Sequence, residues 1–155
     1  DYFKENLKKK CTFRKYKNHD RLDREFLRDY YVEIRKHKFN VCPPGAGFDC
    51  HRIWQTLILG SFPIVKNSWA WREFQDLPIW YVNKFSDVTK KNIDKKYEEI
   101  VRNLEAGNYN LDKINFDYWK RVMDNDRVNF YRNYKTKDTG SSIQKAFSID
   151  QIPTG

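Results

Sequence analysis

The chain has 155 residues, a formal net charge of +9 and a pI near 9.4, and 39% of its residues are hydrophobic, 17% aromatic and 33% charged. This apolar content is sufficient for a folded core and excludes an intrinsically disordered chain. No stretch approaches the roughly 20 apolar residues of a membrane-spanning helix, and the charged first ten residues are unlike a signal peptide, so we expect no transmembrane segment.

The first forty residues are rich in lysine and arginine, interleaved with aromatic residues. Residues 1–20 are interpreted as a basic N-terminal segment. The apolar spacing that follows predicts an amphipathic helix, whose inner face comprises Leu22, Phe26, Tyr30, Val32 and Ile34. Alternating basic and aromatic residues can follow a nucleic-acid backbone, although a solvated basic surface explains the same pattern. The alternative hypothesis is therefore a basic module that binds nucleic acid or another polyanion. It is not the preferred hypothesis, because the sequence contains no known nucleic-acid-binding motif.

Residues 39–65 predict a strand, a loop, a helix and a second strand. The apolar run at 39–42 stops at two prolines, and the run at 62–65 again has the composition of a strand. The loop between the first strand and the helix contains Pro44, Gly45, Ala46 and Gly47. Because glycine lacks a side chain, such a loop lets a ligand approach the backbone closely.

The helix of this unit is predicted to begin near Cys50, with Asp49 as its N-cap, and to end at Gly60. Its buried face is predicted from helical spacing to comprise Ile53, Trp54, Leu57 and Ile58. A helix N-terminus carries unpaired amide groups and a partial positive charge, so a glycine loop that leads into one can bind an anion.

Three side chains of this helix are candidates for contact with that anion. His51 and Arg52 lie in the first turn, and Gln55 follows one turn after His51. A guanidinium offers a planar set of donors that suits a diphosphate, and a histidine has a pKa suited to acid–base catalysis. The simpler interpretation is that Arg52 pairs with Asp49 or another carboxylate and that both glycines only form a turn. The stretch is neither a dinucleotide fingerprint, because Cys50 replaces the third glycine, nor a P-loop.

Strands and helices continue to alternate downstream. Lys66 and Ser68 follow the second strand, at the carboxyl edge where doubly wound sheets bind ligands, and are further candidate contacts; the alternative is a surface lysine and a helix-capping serine. The remaining predictions are a short helix at 69–74, a strand at 78–82, a helix from Ser86 or Asp87 to Gly107, a helix at 115–134 with an apolar stripe of Phe116, Trp119, Val122, Met123 and Phe130, and a polar tail at 136–155. The predicted fold is α/β, a single Rossmann-like domain with a short parallel sheet flanked by helices.

The three cysteines, Cys11, Cys42 and Cys50, lack zinc-site spacing. We expect reduced thiols, no bound metal and no resident cofactor. The sequence also lacks an N-x-[ST] glycosylation site, which favours the cytoplasm over a secretory compartment.

The string PPGAGFDCHRIWQTLILGSFPIVKNS, continued by DLPIWYVNKFSDVT, resembles the donor-binding half of exostosin-like glycosyltransferases. The pattern of that family runs approximately P-x-G-x-G-x-D-x-x-R-x-W-E-x-L-x-x-G-x-x-P-I-V. The looser match covers residues 28–104, roughly half of the chain. The resemblance implies a GT-B enzyme that transfers a sugar from a nucleoside diphosphate, usually UDP, to a glycan acceptor, commonly without a metal.

The resemblance also implies roles for particular residues. Gly45 and Gly47 would line the donor diphosphate and Arg52 would neutralise it, whereas Gln55 stands where the family usually has a ribose-binding glutamate. The whole donor contact set would comprise Pro44, Gly45, Ala46, Gly47, Asp49, Arg52, Gln55, Lys66 and Ser68, with Arg52 and His51 in catalysis. The amide at Gln55 lacks the charge of a carboxylate, so a non-catalytic relative is a second possibility.

A GT-B enzyme has two Rossmann-like domains, and a chain of 155 residues is long enough for one. We therefore expect residues 1–135 to form the C-terminal, donor-binding half of such an enzyme. An N-terminal acceptor-binding domain or a partner chain would supply the catalytic base. A location in the Golgi or ER lumen is the alternative to the cytoplasm, if the chain is excised from a longer membrane-anchored protein.

Overall fold

The computed structural model describes residues 2–7, 11–12 and 24–137. The chain divides after Ile114 into two compact units, and the first unit contains all the strands of the described residues. Most of the predicted basic segment at 1–20, and the predicted polar tail beyond residue 137, lie outside the described residues.

The described helices and strands follow one another along the chain in a largely alternating order. They are α1 (Tyr2–Asn6), α2 (Arg24–Arg35), β1 (Phe39–Val41), α3 (His51–Ile58), β2 (Phe62–Lys66), β3 (Trp80–Val82), α4 (Ile93–Glu105) and α5 (Phe116–Lys137). Short 3₁₀ turns lie at Trp69–Phe74, Phe85–Asp87 and Leu111–Ile114.

The three strands form one parallel sheet in the order β1-β2-β3. Phe39 of β1 is in register with Phe62 of β2, and Ile64 of β2 with Trp80 of β3. Four of the five residues of β2 are buried, as expected for the central strand of a parallel sheet that is covered on both faces. The fold is therefore α/β with a short parallel sheet flanked by helices, which confirms that part of the sequence prediction.

One face of the sheet is covered by α1 and α4. The cluster there contains Leu7, Phe62, Ile64, Trp80, Val82, Val88 and Ile100. Leu7 is 1% exposed, and the hydroxyl of Tyr2 donates a hydrogen bond to the carbonyl of Val88 at 3.0 Å. Residues 2–7 therefore contribute to the core. The interpretation of 1–20 as a basic segment did not predict this, because the five residues of α1 are too few to show a helical period.

The opposite face is covered by α3 and the 3₁₀ turn at Trp69–Phe74. The cluster there contains Cys42, Ile53, Leu57, Val65, Trp71, Leu77 and Ile79. The prediction that Ile58 is buried with them is wrong, since this last residue of α3 is 65% exposed. Gly60 ends the helix as predicted, with φ of 78° in the left-handed region that favours glycine.

Helix α2 is attached to the amino edge of the sheet through one carbonyl group. The carbonyl of Ile34 accepts hydrogen bonds from Ser61 Oγ at 3.0 Å and from Asn40 Nδ2 at 3.2 Å. Ile34 is buried as predicted, Val32 is exposed against the prediction, and Leu22 lies outside the described residues. The helical period predicted the element, but the contacts with Ser61 and Asn40 determine which side chains turn inward.

The predicted cap of α4 is wrong. Neither Ser86 nor Asp87 begins the helix; both belong to the turn at Phe85–Asp87, where Asp87 Oδ2 accepts a hydrogen bond from the backbone amide of Lys84 at 2.8 Å. The residue at the N-cap of α4 is Asn92. The end of the helix is as predicted, because Gly107 has φ of 70°.

The second unit contains α5, a helix of 22 residues and therefore about 33 Å long. Of the apolar stripe predicted on this helix, Phe116, Met123 and Phe130 are exposed, whereas Trp119 and Val122 are half-buried. Within the part of the chain that the structure describes, no helix is both long enough and apolar enough to cross a membrane.

Candidate functional site

The loop at residues 42–50 joins the carboxyl end of β1 to the N-terminus of α3. The amide of Cys42 donates to the carbonyl of Ile64 at 2.9 Å, so the parallel pairing continues one residue beyond β1. The loop then turns outward, with Gly45 N donating to Gly47 O at 3.0 Å, and residues 43–49, which include Pro44 and Ala46, are exposed. The loop is therefore open to solvent at the edge where parallel α/β sheets bind ligands.

Gly45 and Gly47 are not required by the conformation of this loop. In the described chain only Gly60 and Gly107 have positive φ, and a Cβ added at either loop glycine would meet no described atom within 4 Å. The proposal that these two glycines make room for a ligand stays a prediction.

Helix α3 begins without a capping side chain. Its N-cap residue is Cys50, in an extended conformation with φ of −112° and ψ of 147°, and no side chain accepts a hydrogen bond from the first turn. The prediction that Asp49 is the N-cap is wrong, because the carboxylate of Asp49 accepts a hydrogen bond from Trp54 Nε1 at 2.5 Å instead. The first turn contains no acidic residue, so the carboxylate of Asp49, directly before the N-cap, is the acidic group closest in sequence to the positive end of the helix.

Two of the predicted contact residues are joined by a third residue that the sequence did not single out. Arg52 Nε donates to the hydroxyl of Tyr30 at 3.4 Å, and that hydroxyl donates to Gln55 Oε1 at 3.1 Å. Tyr30 lies on α2, 22 residues before Arg52. The structure thus brings Arg52 and Gln55 to one place, and the alternative pairing of Arg52 with Asp49 does not occur.

The guanidinium of Arg52 is charged and directed by this contact. Burial lowers its pKa, but the hydrogen bond that it donates to the hydroxyl of Tyr30 and the nearby ionisable groups raise it, and the net pKa lies above the ordinary value. The side chain itself remains exposed enough to contact a ligand. This is the arrangement of a cation that is held in position and still accessible.

The other predicted contacts have different surroundings. His51 is exposed and forms no hydrogen bond among the described residues. Lys66 is an exposed residue at the end of β2, and Ser68 Oγ accepts a hydrogen bond from the amide of Ala70 at 3.3 Å, which makes it the cap of the following 3₁₀ turn. The hydroxyl of Ser68 is thus already used as an acceptor, although it can still donate.

Two exposed aromatic residues lie in the loops that follow β1 and β2. Phe48 is in the loop after β1, and Trp69 directly follows Ser68 in the loop after β2, where it is 79% exposed. Because β1 and β2 are parallel neighbours, both loops lie at one edge of the sheet. The sequence pattern predicts Trp69 only as part of a short helix; its position just after a strand is the signal that could identify it as a ligand contact.

The three cysteines are free thiols, and one of them, Cys50, is the N-cap residue of α3. Burial raises the pKa of the Cys42 thiol to about 12, so that thiol is protonated and a poor nucleophile at neutral pH. Among the described side chains there is no cluster of three or more histidine, cysteine, aspartate or glutamate residues that could hold a metal ion.

The strand order limits what the described part of the sheet can form. Ligand crevices of doubly wound sheets lie where the strand order reverses. In the order β1-β2-β3 both connections run in the same direction, and the described residues include no strand on the other side of β1. The described strands therefore include no such reversal, and the loop at 42–50 and the N-terminus of α3 lie at the carboxyl edge of β1, which is an edge strand of the described sheet.

No protein-family model matches this chain, and no curated protein matches it at a significant level.

Proposed function

We propose that the N-terminus of α3 binds the diphosphate of a nucleotide-sugar, most simply a UDP-sugar, and that the protein takes part in sugar transfer to a glycan acceptor. The observation that carries the proposal is the combination of an uncapped helix N-terminus with Arg52, held beside it by Tyr30. An anion placed there would accept hydrogen bonds from the first-turn amides and from a guanidinium whose position is already determined.

The proposed ligand extends in two directions from the diphosphate. Gln55, oriented by Tyr30, is close enough to Arg52 to bind a ribose hydroxyl while Arg52 binds phosphate. Trp69 and Phe48 offer exposed rings on which a base or a sugar can stack. Lys66 adds a cation at the same edge, and the exposed loop adds the backbone amides of Ala46 and Gly47. Pro44 has no amide hydrogen, and the amide of Gly45 already donates to the carbonyl of Gly47.

In the proposed reaction, the bond between the anomeric carbon and the diphosphate breaks while a new bond forms to an acceptor hydroxyl oxygen. Negative charge then grows on the leaving diphosphate, where Arg52 and the first-turn amides stabilise it. The proton of the acceptor hydroxyl passes to a base. His51 is exposed at the helix N-terminus and is the nearest candidate on this chain, while an acceptor-binding domain or partner chain is the other proposed source.

The resemblance to exostosin-like glycosyltransferases and the β-loop-α-β arrangement support the same proposal, including its GT-B fold. The proposed compartment is the cytoplasm, with the Golgi or ER lumen as the alternative for a longer membrane-anchored chain.

Titration with uridine, UMP, UDP and UDP-sugars, followed by thermal unfolding, tests the proposal. The melting temperature should rise with the diphosphates, less with UMP and not with uridine; a ligand at one hundred times its dissociation constant adds about 2.7 kcal/mol to the free energy of unfolding. Arg52→Ala should remove the rise. Arg102→Ala, on the exposed side of α4 across the sheet, is the matched control and should keep it.

A rise that survives Arg52→Ala would place the nucleotide elsewhere and overturn the proposal. Release of UDP from a UDP-sugar in the presence of glycan acceptors would then separate the two versions of the proposal. Binding with release supports an enzyme, and binding without release in the presence of an acceptor-binding partner supports a non-catalytic relative.

A further inference from the structure

A second concave surface lies away from the loop at 42–50, between α2 and the end of α3. It is a groove of about 450 Å³, and four of its lining residues are apolar or aromatic: Leu27, Tyr31, Val32 and Leu59. Its charged lining consists of Arg24, Arg28 and Arg35, all on α2. None of these residues belongs to the proposed nucleotide site.

The three arginines share one side of α2. Positions 24, 28 and 35 are separated by four and then seven residues, so they lie along one stripe with axial spacings of about 6 Å and about 10 Å. The acidic residues of the helix, Glu25, Asp29 and Glu33, fall on a different stripe by the same periodicity. The groove therefore carries one sign of charge along three turns.

Within the part of the chain that the structure describes, these guanidinium groups have no counter-charge. Among the described residues, none of the three arginines forms an ion pair or a side-chain hydrogen bond, and all three are exposed. The lysine of the same helix end behaves differently, since Lys36 pairs with Glu33 at 2.9 Å. Three unpaired arginines around an apolar floor are complementary to a partner that brings both carboxylates and aliphatic side chains.

We propose that the groove between α2 and the end of α3 is a docking site for an acidic amphipathic helix of a partner protein. A helix rises 1.5 Å per residue, so glutamates spaced four and seven residues apart match the spacing of Arg24, Arg28 and Arg35. Leucines on the same face of the partner would cover Leu27, Val32 and Leu59, in the way that amphipathic helices occupy apolar grooves.

Other polyanions fit the groove less well. A single strand of nucleic acid is bound largely by stacking of its bases on aromatic rings, and the groove offers one aromatic side chain, Tyr31, among aliphatic ones. A lipid bilayer takes up the continuous apolar face of an amphipathic helix, whereas the four apolar or aromatic residues here are interspersed with three arginines. Both are retained as outcomes of the experiment.

Fluorescence anisotropy with the full chain and a labelled synthetic helix tests the proposal. The probe is an alanine-based peptide that carries glutamate at positions i, i+4 and i+11 and leucine at i+3, i+7 and i+8. Two altered peptides, one with glutamine for each glutamate and one with serine for each leucine, should each bind at least tenfold more weakly. Because part of the affinity is apolar, binding of the original peptide should weaken with salt but persist at high ionic strength.

The protein variant is the combination Arg24→Ala, Arg28→Ala and Arg35→Ala, which should weaken binding at least tenfold. The charge-matched control combines Arg72→Ala, Lys91→Ala and Arg102→Ala, three exposed residues outside the groove, and should bind like the unaltered chain. Leu59→Ser tests the apolar floor and should weaken binding without altering the salt dependence. UDP titration of each variant reports separately on the nucleotide site.

Several results would overturn the proposal. These are absence of peptide binding, equal binding of the glutamine or serine peptide, and equal losses in the two triple variants. Tighter binding of a single-stranded oligonucleotide, or of vesicles containing an anionic phospholipid, through the same three arginines would also overturn it, in favour of a different class of partner.

Discussion

The hydroxyl of Tyr30 lies between Arg52 and Gln55, accepting a hydrogen bond from the first at 3.4 Å and donating one to the second at 3.1 Å. This connection links α2 to the first turn of α3, and so to the loop that leaves β1. It gives a residue far away in sequence control over the position of the candidate phosphate-binding side chain. A variant that lacks the hydroxyl of Tyr30 but keeps its ring therefore tests the orientation of Arg52 without disturbing the packing of the tyrosine.

Tyr30→Phe is expected to weaken UDP binding about fivefold, since a hydrogen bond of about 1 kcal/mol would no longer hold Arg52 in place. Isothermal titration calorimetry gives the dissociation constant, and the thermal midpoint should change little. Tyr31→Phe, one residue away on the same helix, is the control and should bind UDP normally. Equal affinities for the wild type and Tyr30→Phe would show that the hydroxyl does not position the guanidinium.

Cys50→Asp should stabilise the protein and weaken nucleotide binding at the same time. The backbone of Cys50 already has the extended conformation of an N-cap, and a capping side chain adds about 1 kcal/mol to the free energy of unfolding. The new carboxylate would occupy the amides that the diphosphate is proposed to use, and it would repel the ligand.

Urea denaturation measures the first effect of Cys50→Asp and UDP titration the second. Cys50→Ser separates cap from charge: it should stabilise by a similar amount but weaken UDP binding less. If Cys50→Asp gains stability and retains the affinity for UDP, the diphosphate does not bind at the N-terminus of α3.

Gln55→Glu should tighten binding of ribonucleotides, because a carboxylate accepts a stronger, charge-assisted hydrogen bond from a ribose hydroxyl than an amide does. The measurement is the ratio of dissociation constants for 2′-deoxy-UDP and UDP. That ratio should increase several-fold in the variant, and Gln75→Glu, an exposed glutamine outside the site, should leave it unchanged. A constant ratio would remove Gln55 from the ribose contacts.

The β-loop-α-β unit could be predicted from sequence because its signals are local. Each boundary of a strand or helix in this unit is marked by a local feature: the apolar runs at 39–42 and 62–65, the two prolines, or Gly60. The observed strands and helix begin and end within a residue or two of the predictions. Parallel pairing followed from the helix between the strands, since a crossover connection of this kind joins parallel neighbours.

What the sequence could not predict depends on contacts between distant residues. Aspartate is a residue type that commonly caps helices, but the carboxylate of Asp49 accepts a hydrogen bond from Trp54 instead. The indole of Trp54 is placed for this contact by its packing against Phe74, whose ring centroid lies 5.5 Å away. Tyr30 was counted as part of a helix face because periodicity reports burial and does not identify hydrogen-bond partners across helices. The stripe of α5 has a helical period, yet period alone does not say what covers it.

The glycines of the chain should respond differently to alanine. Gly60→Ala should cost about 1 kcal/mol or more of the free energy of unfolding, because φ of 78° places a Cβ in the unfavourable left-handed region. Gly47→Ala should leave stability unchanged or raise it slightly, since its φ is not positive and a Cβ there would lie in open space.

Urea denaturation of the two glycine variants gives the comparison. UDP titration of Gly47→Ala adds a functional reading, because a loss of affinity without a loss of stability would mean that the loop lies against the ligand. A Gly47→Ala variant that is as destabilised as Gly60→Ala would contradict the loop conformation described above.

The buried thiol of Cys42 makes stability depend on alkaline pH. Burial raises its pKa from 9.0 to about 12 in the folded state, so above pH 9 the unfolded chain loses a proton that the folded chain retains. The stabilising contribution is complete below pH 9 and falls by up to about 1.4 kcal/mol per pH unit as the pH rises towards 12. Burial also raises the pKa of Tyr81 from 10.0, and its effect therefore begins one unit higher.

Urea denaturation at intervals between pH 8 and pH 10 measures this slope below the range of Tyr81. Cys42→Val, which cannot ionise, should show a shallower decline than the wild type. Val65→Ala, a buried neighbour in the same cluster, should be less stable at every pH but keep the wild-type slope. If Cys42→Val and the wild type decline in parallel, the thiol ionises equally in both states and is not shielded from water as its burial indicates.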